Sequence, residues 1–240
     1  MSQGPIRAVL FDMDGTLVDT LPDITAAVNA ALQELKLHAL DQATIKTLIG
    51  NGPRVLSRRA LDAQATLDGD QRLQLVETLL AGYASRYATQ LGTLGSIFPG
   101  VLECLRTLDA RGLKLGVVSN ALQHLAEAVL TRFGIAPLLD VIIGGDSVAK
   151  HKPDPESLWL ACERLGVAPY ETLMVGDSIN DVLAARAAGC PVVCVPHGYD
   201  QGHPVSGLGC AIIPDFDALP DWIAQHDLGA HPTAAIAHRR

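Results

Sequence analysis

Apolar and polar positions fall into two textures along the chain. After Pro5, the run Ile6, Ala8, Val9, Leu10, Phe11 is short and nearly continuous in apolar residues. That is the pattern of a strand covered on both faces of a parallel sheet. From Leu21 the period changes. Pro22 suits a first helical turn, with Thr20 or Asp23 as a cap. Ile24, Ala27, Val28, Ala31, Leu32 and Leu35 then recur at helical spacing. Further helices are expected over 44–49, 55–61 and about 70–89, with a break at Gly50-Asn51-Gly52-Pro53. No strand is expected between residues 21 and 93.

Gly92, Gly95, Pro99 and Gly100 mark a return to the first texture. Strands are expected over 115–118, 141–143, 172–175, 192–195 and 211–213. Helices are expected over 101–109, 122–133, 155–165, 179–188 and 219–223. Such alternation predicts an α/β fold, a Rossmann-like parallel sheet with helices on both faces. The first strand is separated from its sheet by the helical block. That block reads as a cap inserted after the first strand and lying over the strand ends. The expected organisation is therefore a core of residues 1–20 and 94–227, a helical cap of residues 21–93, and a loose tail from 228 to 240.

Composition narrows the class. The chain has 240 residues and is 48% hydrophobic, enough for a sizeable core and against global disorder. A net charge of −8 argues against bulk nucleic-acid binding. The five cysteines, Cys104, Cys162, Cys190, Cys194 and Cys210, include no Cys-x-x-Cys pair. Reduced thiols are expected rather than a disulfide framework or zinc site. With no leader pattern and no long apolar span, a soluble cytoplasmic protein without membrane or nucleic-acid partners is expected.

The candidate chemistry lies at strand ends, where open α/β sheets bind ligands. Asp12 and Asp14 follow the first strand, and two carboxylates so close call for a hard cation such as Mg²⁺ or for a proton on one of them. Gly15 permits a sharp turn there. Asp-Gly between apolar runs is also an ordinary turn signal. An EF-hand loop is excluded by Leu17, where that loop requires glycine. Ser119-Asn120, before a helix, could bind an anion or simply cap the helix. Lys152, held between prolines 153 and 155 and the preceding strand, could meet a phosphate oxygen or be a solvated loop lysine. Asp177 and Asp181 share the start of one helix, as ligands or as capping residues. Each feature has a structural explanation alone. Together, four strand ends carry the parts of one phosphate-and-metal site.

The set Asp12-Met13-Asp14-Gly15-Thr16-Leu17, Ser119-Asn120, Lys152-Pro153 and Gly176-Asp177-Ser178-x-x-Asp181 resembles the haloacid dehalogenase superfamily, in the family's order from Ile6 to about Ile223. The helical block resembles its first-type cap. Ile49-Gly50-Asn51-Gly52 and Gly198-Tyr199 are similar to the members that hydrolyse phosphoglycolate in bacteria. Many of those carry Lys after the Ser/Thr-Asn pair, where this chain has Ala121. Dehalogenases of the superfamily lack the second aspartate, so Asp14 points to phosphoryl transfer.

The resemblance implies a Mg²⁺-dependent phosphatase acting on a small phosphorylated metabolite, 2-phosphoglycolate first, as monomer or homodimer. Asp12 would be the nucleophile and Asp14 the acid and base. Ser119, Asn120 and Lys152 would hold the phosphoryl group. Asp12, the Asp14 carbonyl and Asp177 would hold the metal, with Asp181 orienting its waters. Gly50, Asn51, Gly52 and Arg54 would meet the rest of the substrate, and His151 and His197 are further candidates for contact. The alternatives are a sugar-phosphate phosphatase or phosphomutase of the same fold, or a non-enzymatic aspartyl-phosphate receiver.

Overall fold

The computed structural model describes residues 5–65, 67–199 and 202–229, without the side chains of 227–229. Strand β1 (Ala8–Phe11) leads into a tight turn and β2 (Val18–Asp19). Four helices follow: α1 (Leu21–Glu34), α2 (Gln42–Leu48), α3 (Pro53–Asp62) and α4 (Gly69–Gln90). The chain returns through β3 (Ser96–Ile97). Strands and helices then alternate: α5 (Val101–Ala110), β4 (Lys114–Val118), α6 (Gln123–Arg132), β5 (Val141–Ile143) and α7 (Glu156–Leu165). The last elements are β6 (Thr172–Gly176), α8 (Ile179–Ala188), β7 (Val192–Cys194), β8 (Ala211–Ile212) and α9 (Leu219–Gly229).

Six strands form one parallel sheet in the order β5-β4-β1-β6-β7-β8. All four residues of β1 are buried, and their side chains alternate between two cores. Val9 and Phe11 join Leu105 and Leu108 of α5, Leu125 and Val129 of α6, and Phe216. Leu10 joins Leu158 and Ala161 of α7 and Ala184 and Ala185 of α8. Each such aliphatic or aromatic side chain contributes about 1.5–3 kcal/mol when removed from water, which is why an unbroken apolar run occupies the middle of the sheet. Phe11 is level with Val117 and Val175. The residues after β1, β4 and β6 therefore emerge together at one edge.

The cap is a block of helices packed in sequence neighbours and across, α1 on α4 and α3 on α4. The helical spacing of α1 buries Ile24, Ala27, Val28, Ala31 and Leu32. A capping box between Asp68 and Gln71 starts α4. The two crossings between cap and core, β2 and β3, pair as an antiparallel ribbon. Beside it, the buried carboxylate of Asp23 accepts hydrogen bonds from the backbone N–H of Gly92, Leu94 and Gly95 at 2.9, 3.0 and 3.1 Å. The first turn of the cap thus grips its own return linker.

Several features differ from the sequence expectation, among them the start of α2 at Gln42 rather than 44. The β2–β3 ribbon was not expected, because two-residue strands carry no periodicity. Helix α3 starts at Pro53 rather than Val55, since proline fits a first helical turn and the break ends at Gly52. Helix α9 runs to Gly229, past residue 223, so the tail expected from 228 begins inside it; residues 230–240 lie outside the described residues. Among the described residues, no helix is long and apolar enough to cross a membrane. All five cysteines are free of disulfides.

Removing the Asp23 carboxylate would leave three linker N–H groups without their acceptor. Asp23→Ala should lower stability by about 3 kcal/mol and speed amide exchange at residues 92–95, measured by urea unfolding and hydrogen exchange.

Candidate active site

The turn after β1 is built to present two carboxylates. The Asp12 N–H continues the sheet by donating to the Val175 carbonyl at 2.9 Å. Its side chain accepts from the Met13 N–H at 2.7 Å. The chain then doubles back, and the Gly15 N–H donates to the Val18 carbonyl at 2.9 Å. Asp14 accepts from the hydroxyl of Thr20, at 2.5 Å. Burial raises the pKa of both acids, and at Asp12 the attraction of Lys152 opposes that rise.

Lys152, 1% exposed, reaches this turn from the loop after β5. Its Nζ lies 2.9 Å from Asp12 Oδ1 and 2.7 Å from Asp181 Oδ1. Burial alone would lower its pKa, but Asp12 and Asp181 outweigh burial and the ammonium is held charged. The other oxygen of Asp181 accepts from the Ser178 N–H and hydroxyl, closing a capping box on α8. The N-cap of α8 is therefore Ser178, which leaves Asp177 turned to the cleft.

Asp177 is cradled closely. Its carboxylate accepts from the Thr16 hydroxyl at 2.6 Å and from the Tyr199 N–H at 2.5 Å. A Cβ on Gly15, which has φ of +85°, would stand 2.6 Å from Asp177 Oδ2. A Cβ on Gly198 would overlap the same carboxylate. Glycine at both positions is a requirement of shape. Burial, then the neighbouring Asp181, raises the Asp177 pKa to about 7.

Oxygens of Asp12, Asp177 and Asp181 lie within 4.8 Å of one another. Two unit charges about 4 Å apart repel by about 4 kcal/mol at an effective dielectric constant of 20. Three carboxylates facing one ammonium therefore leave surplus negative charge that a cation would neutralise. An all-oxygen donor set suits a hard divalent metal.

Seven expected residues, Asp12, Asp14, Ser119, Asn120, Lys152, Asp177 and Asp181, line one cleft with Gly50 and Gly52. Ser119 is buried, and its hydroxyl oxygen accepts from the Ala121 N–H at 3.0 Å. The Asn120 side chain is committed elsewhere, donating to the carbonyls of Gly50 and Lys152 at 2.8 Å each. It ties cap to core, so a phosphate would have only its main chain to meet. Asn51 is held by Arg59 at 3.0 Å. Arg54 lies outside the cleft, exposed and paired with Glu77 of α4. The earlier start of α3 places it in the first turn, on the side facing α4. His151 Nδ1 lies 3.0 Å from the Lys152 carbonyl. His197 packs against Phe98 with the rings tilted by 41°, and neither histidine lines the cleft.

Sequence reasoning missed Thr16, Thr20 and Asn180 as partners, and Tyr83 and Tyr87 in the lining. Asn180 donates to the Gly50 carbonyl at 3.0 Å beside Asn120. Only the spacing of Tyr83 and Tyr87, four apart on a helix, hinted at a shared face.

Residues 9–195 match the model of the haloacid dehalogenase-like hydrolases. The chain belongs to this family. Other haloacid dehalogenase-like proteins resemble it over nearly their whole length. A phosphoglycolate phosphatase from Thiobacillus denitrificans is 40% identical, covering 92% of this chain and 94% of the relative. One from Rhodospirillum rubrum is 42% identical, over 90% of each chain. The crystal structure of a predicted phosphoglycolate phosphatase from Haemophilus somnus superposes with a TM-score of 0.85 at 34% identity, covering 90% of this chain and 97% of that one.

The role of Lys152 as the one cation among these acids can be tested apart from catalysis. Lys152→Met should lower the unfolding free energy in EDTA by about 3 kcal/mol, measured by urea denaturation against the parent protein.

Proposed function

We propose that this phosphoric monoester hydrolase cleaves 2-phosphoglycolate to glycolate and phosphate, with Mg²⁺ at the acidic cluster and Asp12 as nucleophile. The observation that carries the reading is the placement of Asp12 and Asp14 on one turn, with Lys152 Nζ 2.9 Å from Asp12. The substrate is proposed from the similarity to phosphoglycolate phosphatases.

In the proposed reaction an Asp12 oxygen attacks phosphorus and an aspartyl-phosphate forms as the ester P–O bond breaks. Asp14, whose burial favours the protonated form, gives its proton to the departing oxygen. It then takes a proton from the water that attacks the phosphorus of the intermediate, which releases phosphate and restores the Asp12 carboxylate. Lys152, the Ser119 hydroxyl and main-chain N–H groups of the loop after β4 hold the phosphoryl oxygens. Asp12, Asp177 and the Asp14 carbonyl would hold the metal, with Asp181 behind them. When bound, Mg²⁺ supplies positive charge that offsets repulsion between the nucleophile and a phosphate dianion. The cap covers the strand ends and limits water at the reacting atoms.

With Mg²⁺ present, 2-phosphoglycolate should turn over faster than hexose phosphates in a phosphate-release assay. Faster hexose phosphates would reject the substrate. Asp12→Asn should reduce turnover at least about a thousandfold; retained activity would reject the nucleophile. EDTA should abolish turnover and added Mg²⁺ restore it.

A further inference from the structure

The two walls of the cleft differ in kind. The core wall carries the acids, Lys152 and Ser119. The cap wall is formed by Ile24, Ile49 and Leu56, the Gly50–Pro53 backbone, and two tyrosines of α4, Tyr83 and Tyr87. Among the described lining residues Lys152 is the single cation, and it is already placed between Asp12 and Asp181. No cap arginine or lysine lines the cleft. Arg54 pairs with Glu77, and Arg59 donates to the Leu48 carbonyl and to Asn51. Lys46 lies over the Tyr199 ring, 5.9 Å from its centre. The Gly50 carbonyl is an acceptor already occupied by Asn120 and Asn180.

This leaves the cap wall two polar side-chain groups. Tyr83 and Tyr87 are 6% and 3% exposed, and their rings stack with centres 5.5 Å apart. Spaced by four, they lie on one face of α4. Both residues line the cleft, and neither hydroxyl is taken up by a hydrogen bond to another described residue. We propose that the Tyr83 and Tyr87 hydroxyls are the cap's recognition site for the carboxylate of the leaving group, a pair of neutral donors where a basic side chain would be expected. The proposal rests on the phosphoglycolate reading and adds to it the residues that tell the carboxylate from other groups.

The chemistry is coherent. An O–H donor to a carboxylate makes a short charge-assisted hydrogen bond. Burial, with the nearby charge of Asp14, raises both phenol pKa values, so each remains a donor at any working pH. The apolar residues around the pair exclude water that would compete for the carboxylate.

Ethyl phosphate is the decisive comparison, since it replaces the carboxylate of 2-phosphoglycolate by a methyl group and leaves the phosphate end unchanged. The parent enzyme should favour 2-phosphoglycolate in kcat/KM. Tyr83→Phe and Tyr87→Phe keep the stacked rings and should each reduce kcat/KM for 2-phosphoglycolate about tenfold or more, mainly through KM. Ethyl phosphate turnover should change less than twofold, which also shows that the variants fold. A parent preference that survives in both variants, and in the double variant, would overturn the tyrosine site and leave the substrate reading intact. A parent enzyme without preference would overturn the substrate reading itself, and the tyrosine site with it.

Discussion

Lys152 is the fixed point of the site. An ammonium this deeply buried loses its hydration, and only good partners in close contact offset that loss. Asp12 and Asp181 provide them, one from the turn after β1 and one from the first turn of α8. The loop after β5, the central strand and a helix on the far side of it must therefore arrive at one point. The register of the parallel sheet brings them there, with Phe11, Val117 and Val175 level. A shift of one strand by a single residue would move a carboxylate by about 3.3 Å and leave the ammonium short of a partner.

Around that point the protein divides its labour between two walls. The core wall concentrates charge, and its geometry is fixed by contacts that do not involve substrate: Thr16 and Tyr199 on Asp177, Ser178 on Asp181, Thr20 on Asp14. The cap wall is apolar, and its loop is clasped to the core through one carbonyl, Gly50, by two asparagine amides. In the proposed reaction, chemistry common to phosphate esters belongs to the first wall, and discrimination among leaving groups to the second. The division follows the chain, because the cap is a single insertion between β1 and the rest of the sheet.

Much of this was legible before any coordinates. The apolar run ending in Asp12, the alternation after Gly100 and the polar strand ends carry enough local signal to place the sheet and its acids. The rest depends on contacts that no local pattern encodes. Ribbon strands of two residues leave no period. Asn120 reads as a phosphate ligand, yet its amide is engaged by two carbonyls far away in sequence. Arg54 reads as a cap cation facing substrate, and the register of α3 turns it toward Glu77. Tyr83 and Tyr87 look like ordinary core aromatics of a long helix. What distinguishes them is their place in the cleft lining, which only the folded molecule reveals.

The insertion also governs assembly on the ribosome. The central strand, Ala8–Phe11, has neighbours at Lys114–Val118 and Thr172–Gly176. At roughly 5–20 residues per second, it emerges on the order of 5–20 s before its first neighbour exists. During that interval the most apolar segment of the nascent chain has no sheet to join, while the helices behind it can already pack among themselves. Synthesis and docking are thereby separated in time: the first of these sheet strands to be made waits for β4 before it has a neighbour.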